Sequence, residues 1–264
     1  DGNMLRCFCL SLLVVTVSAG HSCTPYLASL TQLDAGSGMV IGVSESGHVF
    51  NWTGNDFLLV PGEQLAHVTV GPAGVWGVGK NTVVYKLQDN QWKTIAGGTL
   101  KQADAGGDTF LAGVNTNNNA VCLDRGLTTS KYTVVSFSSI EGGNFIYYSC
   151  GLLGCWAVSS DSTNNVFYRE NVDQTVCQGS SWKQVEGTMT KIEAGTDGSV
   201  FGVDSGGNLY RRHGISRDNP TGTKWLPQNY PLYISHATYD SGTLWCLTNT
   251  GVVLKCQVPG SGLV

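Results

Sequence analysis

One pattern recurs six times along this chain and restricts its fold more than any other feature. MVIGV ends at Val43, VWGV at Val78, FLAGV at Val114, CWAV at Val158 and VFGV at Val203, with a weaker sixth copy, TLWCL, ending at Leu247. Successive copies lie 35, 36, 44, 45 and 44 residues apart. Each is preceded by a related strand-like stretch (LTQLDAG, LAHVTVG, LKQADAG, SFSSIEGG, MTKIEAG, YISHATYDSG) and followed by a polar turn and a second strand (HVFNW, TVVYKL, AVCLD, NVFYR, NLYRR, VVLKC). A third, aromatic strand follows around Phe57, Trp92, Tyr132, Trp182 and Trp225. Four short strands per period of roughly 40 residues is the pattern of a β-propeller, whose repeats bury their faces only against one another. The expectation is an all-β chain: a six-bladed β-propeller of four-stranded blades over residues 23–258.

With MVIGV counted as a first strand, Leu30–Gly36 reads as a fourth strand with no first three before it. The C-terminal TLWCLTNTGVVLKC supplies strands one and two of a blade with no fourth. The N-terminal strand is therefore expected to complete the last blade, removing the edge an open ring would expose.

Composition agrees with strands and tight turns. Only 13% of residues are charged, and 35 of the 264 are glycine. The net charge is −4 and no basic run occurs, which argues against nucleic acid. Residues 4–22 read as a secretory signal: a short positive start, an apolar run and small residues at Val17, Ser18 and Ala19. Asp1–Asn3 stand outside that signal. No second long apolar stretch follows, so a secreted, extracellular protein without membrane insertion is expected.

Secretion makes the cysteines disulfide candidates. Beyond Cys7 and Cys9 in the signal, seven remain, an odd number. Cys23 precedes the N-terminal strand and Cys256 ends the last one, so this pair should lock the shared blade. Cys150 and Cys155 straddle one turn. Cys122, on a strand of the third blade, and Cys177, in the long loop of the fourth, would staple neighbours. Cys246 is left over.

Four stretches, LLVPGEQLAHVTVGPAGVWGV (58–78), LKQADAGGDTFLAGVN (100–115), YYSCGLLGCWAV (147–158) and LYRRHGISRDNPTGTKW (209–225), resemble the tectonin family and, within it, the fish-egg lectins. The resemblance covers the chain beyond the signal. It implies a six-bladed propeller secreted into egg fluids or plasma, without catalysis. It also implies binding of N-acetylglucosamine-type sugars and of microbial envelope glycans, lipopolysaccharide and peptidoglycan, as in a horseshoe-crab tachylectin. Egg glycoproteins and a second copy of the chain complete the expected partners. In the family, the cysteine equivalent to Cys246 pairs with one in the loop before it. Here that loop, LPQNYPLYISHATY, has none, so a buried free thiol is expected, with an intermolecular bridge as the alternative.

Sugars are held by aromatic faces and by planar amide and carboxylate groups. Trp76, Trp156 and Trp245, with Phe201, recur at one place and read as blade-packing residues. Trp92, Trp182 and Trp225 recur nearer the outside and are candidates for stacking on sugar, although packing between blades explains them too. The polar candidates at blade rims are Asp104, Asp108, Asn115, Asp197, Asp204 and Asn208, together with Asp34. Turn chemistry is the competing reading of each. Asn51-Trp52-Thr53 is an N-glycosylation sequon.

Enzyme readings fare poorly. There is no Ser-x-Asp-x-Gly-x-x-Trp string, no G-x-S-x-G elbow, and the histidines are scattered without metal-ligand spacing. DAGGD and TDG are the strings where calcium could sit, but neither resembles an EF-hand, so no metal or cofactor is expected. The functional expectation is a multivalent lectin of innate defence or egg protection. A protein-interaction scaffold of egg envelope or plasma is the alternative.

Overall fold

The computed structural model describes residues 15–16, 22–173 and 176–258. The expected signal, residues 4–22, lies almost wholly outside the described residues. The architecture is all-β and propeller-like, with one four-residue helix, α1 (Arg125–Thr128).

Six four-strand antiparallel units follow one another. After β1 (Ser22–Leu27), the first unit is β2 (Leu30–Gly36), β3 (Met39–Ser44), β4 (Val49–Trp52) and β5 (Phe57–Val60). The second is β6 (Leu65–Gly71), β7 (Gly74–Gly79), β8 (Val83–Gln88) and the first part of β9 (Gln91–Asp104). The end of β9 pairs instead with β10 (Leu111–Asn115), so one strand leaves the second unit on its outside and enters the third on its inside. After β10 and β11 (Asn119–Leu123), β12 (Ser138–Gly151) does the same. It leads into β13 (Gly154–Ser159), β14 (Asn165–Arg169) and β15 (Trp182–Thr188). The fifth unit is β16 (Lys191–Ala194), β17 (Val200–Val203), β18 (Leu209–His213) and β19 (Lys224–Pro227). The last is β20 (Ile234–Asp240), β21 (Thr243–Thr248) and β22 (Val252–Gln257), with β1 added on the outside of β22 and the two residues Val15–Thr16 paired as a fifth strand outside β1.

This arrangement corrects two sequence expectations. The N-terminal strand that joins the last unit is Ser22–Leu27, with Cys23 opposite Cys256. Leu30–Gly36 is the innermost strand of its own unit, and the aromatic strand is therefore the outermost rather than the third. The reason is steric. The inner strands approach so closely that a Cβ on Gly36 would lie 2.2 Å from the Val70 carbonyl oxygen, and one on Gly71 2.0 Å from that of Ala105. Five of the six inner strands carry glycine at this position, and the last carries Asp240. Tyr132 also departs from expectation. It is 73% exposed in the segment after α1, and the outer strand of the third unit is the start of β12.

The core lies between units. Trp76 packs with Leu100 and Val121 of the next unit, and Trp156 with Ile192 and Val200 of the one after it. Trp76, Trp156, Trp245 and Phe201 are all buried, which is the packing role their recurrence suggests. Among the described residues there are three disulfides: Cys23–Cys256 across β1 and β22, Cys150–Cys155 across β12 and β13, and Cys122–Cys177 between the third and fourth units. Cys246 is free and buried, and burial pushes its thiol up to about 12.

Candidate functional site

Aligning the six inner strands on the glycine that closes five of them (Gly36, Gly71, Gly106, Gly151, Gly195) and on Asp240 in the sixth exposes a column of polar side chains two residues earlier: Asp34, Thr69, Asp104, Ser149, Glu193, Thr238. Acid and hydroxyl alternate. The Thr69 hydroxyl donates to Asp34 at 2.7 Å and the Thr238 hydroxyl to Asp34 at 2.9 Å. The Ser149 hydroxyl lies 2.9 Å from an Asp104 oxygen and 3.0 Å from a Glu193 oxygen. Backbone amides of Val70, Cys150 and Ala35 complete the acceptors. Burial, reinforced by neighbouring carboxylates, holds Asp104 and Glu193 well above the usual carboxylate range. Asp104, a sugar candidate by sequence, is thus engaged inside this belt.

Two residues earlier still, the same strands contribute Gln32, His67, Gln102, Tyr147, Lys191 and His236, which line a cavity of about 400 Å³. Gln32 and Gln102 each bridge to the backbone of the next inner strand, at Val68 and Tyr148. Tyr147 donates its hydroxyl proton to Glu193, and the Nε2 of His236 lies 2.8 Å from that hydroxyl oxygen. The histidines that look scattered in sequence, His67 and His236, therefore meet in one place. The signal that would have found them is the alignment column, not their spacing along the chain.

The remaining candidates fall into separate places. Asn115, Asp204 and Asn208 cap turns: Asn115 accepts from the amides of Asn117 and Asn119 at 2.9 and 3.0 Å, and Asp204 from those of Gly206 and Asn208, each at 2.9 Å. Burial works against the Asp204 anion, but bonds from Asn208 and Tyr210 hold its carboxyl below the usual range. Asp197 likewise accepts from the Ser199 amide. Asp108 is exposed and, with Phe110, Leu152 and Asp173, borders a second cavity of about 340 Å³. Asn51 is half-buried on β4, and its side-chain oxygen has no partner among the described residues.

The outer tryptophans form a repeated boundary device. Trp182 donates its indole N–H to the Glu141 carbonyl at 2.8 Å, and Trp225 to that of Glu186 at 2.7 Å, each reaching back to the preceding unit. Arg169 and Arg212 lie 4.9 and 5.2 Å from the respective ring centroids. The backbone passes over each indole at a glycine with positive φ: Gly142 at 97° and Gly187 at 110°. Gly62 stands in the same relation to Trp92, whose ring nitrogen is buried without a partner among the described residues. All three rings are half-buried. A cleft of about 320 Å³, lined by Glu141 and Asn144, opens beside the Trp182 boundary, and another of about 240 Å³, lined by Gly97, Asn115 and Phe137, lies between the second and third units.

Among the described residues, no cluster of three or more His, Cys, Asp or Glu side chains could hold a metal ion. A tectonin-domain family model matches residues 29–249. A fish-egg lectin from Cyprinus carpio is 39% identical over 237 residues, covering 89% of this chain and 98% of that protein. The 31 kDa subunit of perivitellin-2 from Pomacea maculata is 34% identical over 98 residues, 36% of this chain and 34% of that subunit. Among solved structures, a gluconolactonase from Xanthomonas campestris superposes with a TM-score of 0.68 over 94% of this chain and 95% of its own, at 8% identity, a likeness of fold alone.

Proposed function

The chain belongs to the tectonin family, and from that premise we propose that it is a secreted lectin for N-acetylglucosamine-type glycans, including lipopolysaccharide and peptidoglycan. Its six units act as six blades of one ring, closed by β1. Support for the ring comes from hydrogen bonds passed between inner strands: Thr69 to Asp34, Ala105 to Thr69, Ser149 to Asp104 and Glu193, and Thr238 back to Asp34. Extracellular residence is supported by the three disulfides and by the absence, among the described residues, of a helix long and apolar enough to cross a membrane.

The observation that carries the sugar reading is the repeated boundary. Trp182 with Arg169, and Trp225 with Arg212, present half-buried indoles beside exposed Glu141 and Glu186, with the indole-to-carbonyl bond and the stacked guanidinium repeated. Arg212 is in addition ion-paired with the Glu186 carboxylate, while Arg169 bonds the Glu141 carbonyl. Two or more weak, equivalent sites bind a repetitive glycan surface tightly through avidity. The test is calorimetric titration with N-acetylglucosamine, alongside Trp182→Phe and Trp225→Phe variants. Several weak sites per chain, reduced in number by each variant, are expected. No heat with the sugar and no retention on lipopolysaccharide would overturn the reading. That outcome would favour a protein-binding scaffold, for which Leu58 and Leu59, each 56% exposed on the outermost strand β5, offer an apolar edge.

A further inference from the structure

The cavity lined by the inner strands gathers basic side chains, three of whose buried nitrogens have no hydrogen-bond partner among the described residues. Lys191 is half-buried, its ammonium 4.8 Å from the Tyr147 ring centroid and attracted by the Glu193 carboxylate. Both ring nitrogens of His67 and the Nδ1 of His236 are buried and without partners. Lys101 stands at the rim, bonded to Asn118. A buried polar nitrogen left unpaired is costly, and proteins keep one where something pairs with it. The nearest carboxylate, Glu193, reaches up from the layer below to 3.3 Å from the His236 Nε2, but its oxygens are already engaged by Tyr147 and Ser149, as those of Asp34 are by Thr69 and Thr238.

We propose that this cavity is a binding site for a small anion, a carboxylate or phosphate group, held by the Lys191 ammonium and a His67 ring N–H. A cavity of about 400 Å³ admits such a group together with a few more heavy atoms. The Tyr147 ring forms an apolar wall, and the two glutamines are committed to the neighbouring strands, so the cavity is preformed. This site is separate from the unit boundaries and does not depend on the sugar reading. The same placement explains the electrostatics. Burial, then the proximity of His236 and Lys191, holds His67 well below the ordinary imidazole range.

The test is calorimetry on the full, oxidised chain with inorganic phosphate and with pyruvate, at matched ionic strength. One saturable site per chain is expected, weakened at least tenfold in Lys191→Met and in His67→Phe. Tighter binding of phosphate assigns a phosphomonoester, and tighter binding of pyruvate a carboxylate. Lys191→Met should also melt at a higher temperature than the parent, because it removes a half-buried charge; a residue kept only for structure would do the reverse. Excess N-acetylglucosamine should leave the anion isotherm unchanged. Absence of saturable binding by either anion, binding untouched by both variants, or displacement by N-acetylglucosamine overturns the proposal. Loss of sugar binding with the anion isotherm intact would sink the lectin reading alone.

Discussion

The three disulfides form an internal series for testing how this chain is held together. They close loops of very different length, with sequence separations of 233, 55 and 5 residues for Cys23–Cys256, Cys122–Cys177 and Cys150–Cys155. On the chain-entropy model these lengths correspond to about 5, 4 and 2 kcal/mol at 25 °C. All six cysteines are at most 2% exposed, so replacing each pair by alanine removes buried sulfur to a similar extent. Differences between the three double variants therefore report loop closure. The measurement is urea unfolding of Cys23→Ala/Cys256→Ala, Cys122→Ala/Cys177→Ala and Cys150→Ala/Cys155→Ala, followed by both near-ultraviolet and far-ultraviolet circular dichroism. The first is expected to lose the most and the last the least, by a margin of about 3 kcal/mol. The first should also lose coincidence between the two probes, because β1 can peel from β22 while the other units stay folded. Hydrogen exchange would then be fastest at Ser22–Leu27 and its partner Val252–Gln257. If the Cys150–Cys155 variant loses as much as the Cys23–Cys256 variant, long-range closure is not what the terminal bridge contributes.

Three further expectations follow from the inner strands and the boundaries. Asp34→Asn should cost about 2 kcal/mol or more by urea unfolding, because Asp34 accepts from two hydroxyls and two backbone amides and an amide nitrogen would oppose some of those donors; an unchanged midpoint would remove the belt from the stability account. Burial pushes His236 down to about 3 and holds His67 well below the usual value, so the unfolded chain takes up protons first as pH falls below about 6.5. Stability from these two residues is lost toward acid at up to about 1.4 kcal/mol per pH unit each. Asp104 and Glu193, held high, act oppositely: their contribution is full below the unfolded carboxylate range and is lost as pH rises through their folded values. His67→Gln should therefore reduce the acid-side slope of unfolding free energy by about one proton, and an identical slope would contradict the burial argument. Trp225→Ala should cost about 2–3 kcal/mol, less than for a fully buried tryptophan, through its lost bond to Glu186 and contact with Trp156; a loss below 0.5 kcal/mol in thermal or urea melts would show that the ring is not holding the boundary.

The period of the fold was legible in the chain, but its phase was not, and the reason is general. In a string of equivalent four-strand repeats no strand announces itself as the first, so MVIGV and LTQLDAG compete for the inner position. What decides between them is how near the strands come to one another, which places glycine where a Cβ would strike the Val70 or Ala105 carbonyl. That constraint is written in the sequence as the recurring terminal glycine, yet it becomes readable only once strands from different repeats are set side by side. The same holds for chemistry. Asn115 and Asp204 recur conspicuously because every unit needs a capped turn, and local hydrogen bonding suffices to explain them. Lys191, His67 and His236 recur in no motif, because each occupies the same column of a different repeat, and the column has no single residue type. Repetition along the chain marks what each unit needs for itself. Departure from repetition, in a column whose residues line one cavity, marks what several units can do together that no unit does alone. The unpartnered imidazole nitrogens of His67 and His236 are that departure.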